Sequence, residues 1–393
     1  MPTIEAAYPF IRVTIDTSDL MPTAQRAPGV IAIVGKTGAG DSAGTAAANK
    51  PYAIDTLDQA ADLFAGKNAE GTVIETPLYA SLKTAFLQDP KPSKVYGVKI
   101  EEDKYAAGLG GLEAADDVTF VALAKEATVG AAAAGGNPAT GLMALKDHCE
   151  NMSAAGQKRI GVAMVDPATP KSNTYCDDVK AKYGSLESDS SRMILIAARG
   201  ATTDVASAAM SAIAGYEPHI SAILKRVRGV SMPIDKQFSP TEIKTLSEEN
   251  IIPIIDPALI VGEGLHFAEG RCYTTDPTLL YIDIVRTLDD IEFRLKAGLI
   301  GMIGDARITK AGITRVKTRV EGILGPLKRR AVIDNFNIDI PVLTVLEMPE
   351  SAWTETDRSL VFTARANRTV DMVVTVTYGP QVHRLLVTLK PKF

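Results

Sequence analysis

RIGVAMVD, residues 159 to 166, is an apolar run of strand length. Two similar runs bracket it, VTFVALA at 118 to 124 and RMILIAAR at 192 to 199. Stretches of helical length separate them, around 138 to 155 and 172 to 183, and another follows at 202 to 214. Short apolar strands alternating with helices specify a doubly wound α/β layer, because strands running the same way need a crossover between them and a helix makes a compact one.

Outward from this unit, residues 30 to 100 read strand (VIAIV), Gly-rich loop, short strand, helix, helix and strand (KVYGVKI, 94 to 100). The first of these helices, in TLDQAADLF, opens on a capping box from Thr56 to Gln59. Polar EEDKYAAGLGG follows residue 100, and RGVSMPIDKQ lies near 235. These breaks predict that 101–235 is an α/β domain inserted between the two parts of another, 28–100 and 236–365. The later part starts at SPTEIKTLSEENI, with Ser239 as N-cap, Pro240 in the first helical position and Glu242 closing a second box. In TLLYIDIVRTLDDIEFRLKAGLIG, residues Leu280, Ile284, Leu288, Ile291 and Leu295 recur at helical spacing. A further helix over about 310 to 328 carries Ile313, Val316, Val320, Ile323 and Leu327 as one stripe.

Both ends of the chain read as strands on arms. PFIRVTID at 9 to 16 puts Ile11, Val13 and Ile15 on one side, set apart by the linker SDLMPTAQRAPG, which gives an arm over 1–27. At the other end SLVFTARAN, DMVVTVTYG and HRLLVTLKPKF read as strand, with Val374, Val376, Leu385, Val387 and Leu389 as apolar positions and an arm over 366–393. A strand alone on an arm cannot satisfy its own backbone groups, so the two arms invite pairing with other copies by strand addition. The predicted fold is therefore mixed α/β: an inner domain from N- and C-terminal parts, an inserted α/β domain, and extended β-strand arms at both termini.

Composition narrows the function. A net charge of -5 with a pI near 5.6 argues against a nucleic-acid binder. No apolar run approaches the ~18 residues of a membrane span, and the start MPTIEAAYPFIRV lacks the pattern of a signal peptide. Cys149, Cys176 and Cys272 form no CxxC pair, so no metal site is expected. His148 and Cys149 point about 100° apart on a helix, which favours packing over a nucleophile.

The loop GKTGAGDSAGT at 35 to 45 is the best case for an enzyme, a nucleotide- or phosphate-binding one. It fails the GxxxxGK[ST] spacing, since the glycine ahead of Gly35 is Gly29 and a strand fills the gap. Nor does Gly38, Gly40, Gly44 give GxGxxG, and a surface hairpin is expected instead. Acid pairs Asp116–Asp117, Asp177–Asp178 and Asp289–Asp290 read as solvated charge, and no GxSxG occurs. No catalytic, cofactor-binding or metal-binding residue is assigned. The remaining signal is a basic helix, with Arg315, Lys317 and Arg319 followed by Lys328, Arg329 and Arg330, suited to an acidic protein surface or to solvent.

APGVIAIVGKTGAG, KPYAIDTLDQAADLFAG, TPLYASLKTAFLQDPKPSKVYGVKI, the stretch from ENIIPIIDPALIVGEGLHFAEGRCYTT to FRLKAGL, and ITRVKTRVEGILGPLKRRAVIDNFNI together resemble the contractile tail sheath family of phage tails, R-type bacteriocins and related injection systems. The likeness covers most of residues 28 to 340. Many relatives carry Trp-Gly-x-Arg-Thr where this chain has FAEGRCYT, which keeps Gly270, Arg271 and Thr274 but loses the tryptophan and shifts the threonine. The resemblance implies a structural subunit and no enzyme. Its copies would form rings of six stacked helically around an inner tail tube protein, join baseplate and tail terminator proteins, and contract to drive the tube through a cell envelope. It also implies arms that mesh adjacent copies, a tube-facing element that favours the basic helix, an outward-facing middle domain, and assembly in the bacterial host cytoplasm into a tail or injection particle. The competing readings are the phosphate-binding enzyme and a ring-forming tail terminator.

Overall fold

The computed structural model describes residues 27, 29–38, 44–68, 71–260 and 264–384. In chain order the elements begin with β1 (Val30–Lys36), β2 (Pro51–Ile54), α1 (Leu57–Phe64), the short β3 (Gly66–Lys67) and β4 (Val73–Ile74), α2 (Pro77–Phe86), β5 (Lys94–Ile100) and α3 (Tyr105–Gly111). There follow β6 (Phe120–Leu123), α4 (Gly141–Ala154), β7 (Ile160–Met164), α5 (Tyr175–Tyr183), β8 (Met193–Ala197), α6 (Val205–Gly215), β9 (Arg226–Val227), α7 (Pro240–Glu248), β10 (Ile252–Ile255) and β11 (Leu265–Phe267). The C-terminal part holds α8 (Ile282–Leu299), α9 (Lys310–Arg329), β12 (Asn335–Asp339), α10 (Pro341–Glu347), α11 (Glu355–Asn367) and β13 (Val373–Thr377).

One nine-stranded sheet, in the order β2-β5-β1-β6-β7-β8-β10-β11-β9, organises the larger of two compact units. Its six central strands are parallel; β2 pairs antiparallel with β5 at one edge, and at the other β11 pairs antiparallel with β10 and β9 antiparallel with β11. Successive side chains point to opposite faces, and both faces are covered. Ile31, Ile33, Phe120, Ile160, Val162, Ile194, Ile196, Ile252 and Ile254 pack with Phe64, Leu78, Leu82, Val205 and Met210 of α1, α2 and α6. Val30, Ala32, Val34, Val98, Val121, Leu123, Ala163 and Leu195 pack on the other side with Leu109, Leu142, Leu145, Val179 and Leu246 of α3, α4, α5 and α7. That is why the strands themselves, Phe120–Leu123, Ile160–Met164 and Met193–Ala197, are apolar at every position.

The sheet corrects the expected domain boundaries. Residues 101–235 do not form a sheet of their own: β1 bonds β5 on one side and β6 on the other, and β8 bonds β10. Polar loops at 101 and 235 are crossovers within one layer. The larger unit takes in residues 26–293, 326–339 and 373 onward, and the smaller holds 294–325 and 340–372. The smaller is helical in its described part, with Ile313, Val320, Ile323 and Leu324 of α9, Val342, Leu343 and Val345 of α10, and Val361 and Ala364 of α11 buried.

Three local readings also change. SLVFTARAN forms α11, not a strand, because Thr354 accepts from the Asp357 amide and the Asp357 carboxylate accepts from the Thr354 amide, starting a helix. The Thr56 hydroxyl does accept from Gln59, but the Gln59 side chain accepts from the Asp55 amide, one residue outside the expected box. Helix α8 buries Ile282, Val285 and Ile291, while Leu288 of the predicted stripe is 43% exposed. Its buried edge also holds Asp283, Arg286 and Thr287. Arg286 donates to the Ile213 and Tyr216 carbonyls at the end of α6, so a satisfied polar group takes the place that periodicity gives to an apolar one.

The tight seating of α6 is testable. A Cβ on Gly29 would lie 1.9 Å from the Ala214 carbonyl oxygen, a backbone atom that cannot rotate away, whereas one on Gly110 would meet nothing. Gly29→Ala should cost about 2 kcal/mol or more in urea unfolding. Gly110→Ala should be neutral or stabilising by up to about 1 kcal/mol.

Candidate assembly surfaces

Parallel sheets bind ligands beyond the carboxyl ends of their strands where the order reverses, here between β1 and β6. This chain fills that place with its own side chains. Asp204, the N-cap of α6 and 1% exposed, accepts from Ser81 Oγ (2.6 Å), Lys125 N (3.0 Å), Ser207 N (3.0 Å) and Ser207 Oγ (2.7 Å). Lys36 pairs with Asp103, and the Tyr105 hydroxyl donates to Glu126 at 2.7 Å. A Cβ on Gly35 would sit 2.3 Å from that of Ala124, so the strand ends are closed up. Residues 39–43 of the Gly-rich loop lie outside the described residues.

The other chemistry-bearing residues are built into the fold. Asp289 reads as solvated charge in the sequence but makes a bidentate pair with Arg192 at 2.6 and 3.0 Å, tying α8 to the start of β8. Asp117 pairs with Lys94, Asp116 accepts from Gln157, and Asp178 accepts from Thr174. Arg199 lies over the adjoining rings of Tyr175 and Phe238 and pairs with Glu242 of the Ser239 capping box. Arg271 donates to the Ser247 carbonyl and Thr274 to that of Ser188, which gives both residues a structural partner. Cys149 and Cys272 are buried, and burial pushes each thiol up to about 12.

Candidate assembly residues divide among several places. Ile11, Val13 and Ile15 lie outside the described residues, as do Leu385, Val387 and Leu389. Val374 and Val376 are in β13, which pairs antiparallel with β12 of the same chain over five registered positions, Asn335↔Thr377 to Asp339↔Val373. Their partner is thus within the chain along that edge, which corrects the expectation of a free arm beginning at 366. The two-stranded sheet has half-exposed and exposed residues in alternation on both strands.

The six basic residues do not form a single patch. Arg330 makes a bidentate pair with Glu217, Lys328 donates to Asn335, and Arg319 donates to the Gly298 carbonyl at 3.2 Å. Among the described residues Arg315, Lys317 and Arg329 make no ion pair. In the smaller unit Lys310, Arg315 and Arg319 share a groove with Asp305 and the backbones of Gly298, Gly301 and Gly322. Ile300 and Ile303 nearby are 67% and 77% exposed, and Phe362 of α11 is 74% exposed. Sequence periodicity did not single out these three, because exposed apolar positions outside a stripe look like noise until the helices are placed.

No known family profile and no curated protein matches the chain. Solved structures do. A chain of the anti-feeding prophage baseplate superposes with a TM-score of 0.65 at 13% identity, over 99% of this chain and 100% of the other. The chain has the fold of a contractile tail sheath protein. The anti-feeding prophage helical sheath in its contracted state gives a TM-score of 0.62 at 13% identity, over 98% of this chain and 99% of the other. A sheath tail protein of Listeria innocua gives 0.52 at 11% identity, over 82% and 90%.

One buried pair makes the sheath fold's response to acid measurable. His148, 8% exposed, accepts at Nε2 from Arg159 at 2.8 Å and must therefore be neutral there. Burial, then the Arg159 charge, lowers its pKa from 6.5 to about 4. A depressed value means that the unfolded chain takes up the proton first, so stability present at neutral pH falls as pH drops from about 6.5 to 4. The loss is at most about 3 kcal/mol. Urea unfolding of His148→Gln should show most of this slope removed.

Proposed function

We propose that this chain is a structural subunit of a contractile sheath, polymerising around an inner tube and shortening to drive that tube through a target envelope. The observation that carries the reading is end-to-end likeness: the fold of a sheath protein extends over 98% of this chain and 99% of the neighbour. The filled crevice beside Asp204 supports a non-enzymatic role. Partners on this reading are further copies of the chain, an inner tube protein and a baseplate.

The terminal segments supply the copy-to-copy links. A two-stranded sheet is marginal alone and carries unpaired backbone groups on its outer edges. The β12–β13 ladder therefore is the receiving site that fits a strand from residues 9 to 16 or 385 to 390 of a neighbouring copy. The tube-facing element is α9, whose Arg315, Lys317 and Arg329, on different sides of the helix, are available to acidic groups. Such screened contacts can be given up during contraction, while contact between subunits grows.

Electron microscopy of the purified protein should show hollow tubes. Deleting residues 1–20, or residues 385–393, should leave a folded subunit that forms none; unchanged tubes from either truncation would remove the strand-addition mesh. Arg315→Glu, Lys317→Glu and Arg329→Glu combined should weaken assembly on the inner tube at least tenfold at low salt and spare tube-free polymerisation. An equal effect on both would overturn the tube-facing assignment.

A further inference from the structure

Directly after β13 the chain lies across the larger unit in a segment held almost wholly by polar side chains. Tyr378 donates its hydroxyl to Asp283 Oδ2 at 2.6 Å. Gln381 grips the backbone of the loop after α6 with both ends of its amide: Oε1 accepts from Ser221 N at 3.0 Å, and Nε2 donates to the His219 carbonyl at 2.9 Å. The His383 ring meets Tyr281 edge-on with centroids 5.0 Å apart. Arg384 donates to Glu269 Oε1 at 3.2 Å while its own side chain is 75% exposed.

Little else holds this segment. Val382, its one aliphatic side chain, is 79% exposed, and a Cβ on Gly379 would meet nothing. Its backbone makes no hydrogen bond to another described backbone group. Water can replace each of these polar contacts, so lifting the segment leaves few groups unsatisfied, and the apolar surface it uncovers is confined to the half-buried rings of Tyr378 and His383. Glu269 keeps Arg271 at 3.6 Å when Arg384 leaves. By contrast β13 just before it is fixed by its ladder with β12, so the segment can detach without disturbing the fold.

We infer that residues 378–384 are a releasable strap, held on their own subunit before assembly, whose detachment gates polymerisation. The inference rests on the sheath reading above. A strap that competes with lattice contacts raises the concentration needed to assemble, since the free energy of holding it is lost on release.

The test uses the full chain and Gln381→Ala/Arg384→Ala, two exposed residues whose replacement should leave the unfolding midpoint unchanged. Chymotrypsin cleavage after Tyr378 should quicken at least fivefold in the variant, and the critical concentration for tube formation, measured by pelleting, should fall about five- to tenfold. Tyr378→Phe should move both readouts the same way by a smaller factor. Faster cleavage with an unchanged or raised critical concentration overturns the gate, and unchanged cleavage overturns the strap itself. If the wild-type chain assembles under no condition, the sheath reading fails as well, an outcome distinct from strap failure because it appears before any substitution.

Discussion

A parallel sheet covered on both faces is the constraint from which the larger unit follows. Its strands cannot be joined by tight turns, so each crossover must cover the sheet, and each strand must be apolar on both sides. Polar groups are pushed to the rims. There, buried arginines gather the helix ends and loops: Arg286 takes the carbonyls at the end of α6, Arg159 takes those of Leu112 and Ala115, and Arg199 those of Lys236 and Gln237. A guanidinium suits this role because its planar fork of donors can serve several acceptors at once and its charge persists when buried.

The same constraint explains what was legible. β1, β6, β7 and β8 read correctly from sequence because two-sided burial leaves no polar interruption, β10 was not read as a strand, and the Ser239 helix start was visible because its capping box is local. Extent was less legible. A polar loop between strands looks the same whether it ends a domain or only crosses over a sheet, so residues 101–235 were set apart wrongly. SLVFTARAN looks like a strand by residue type; the Thr354–Asp357 pair ahead of it was the local signal for a helix.

The assembly residues were harder still, for a different reason. Pairing of Val374 and Val376 with residues about forty positions earlier is set by tertiary placement, which no local pattern encodes. Charge runs show where cations lie in the chain but not which are already spent. Of six in α9 and its exit, Arg319, Lys328 and Arg330 already have partners within the chain. The anti-feeding prophage sheath has the same fold at only 13% identity.

The antiparallel register of β12 and β13 has a mechanical consequence. Asn335, where the chain enters the ladder, lies opposite Thr377, where it leaves. Tension drawn along the departing chain against the incoming one therefore acts on one end of the ladder and opens it like a zipper, bond pair by bond pair, instead of shearing all five at once. Such a ladder yields at low force and recloses readily. Residues 340–372, the excursion between the two strands, would unloop only after the last pair, Asp339 with Val373, has parted.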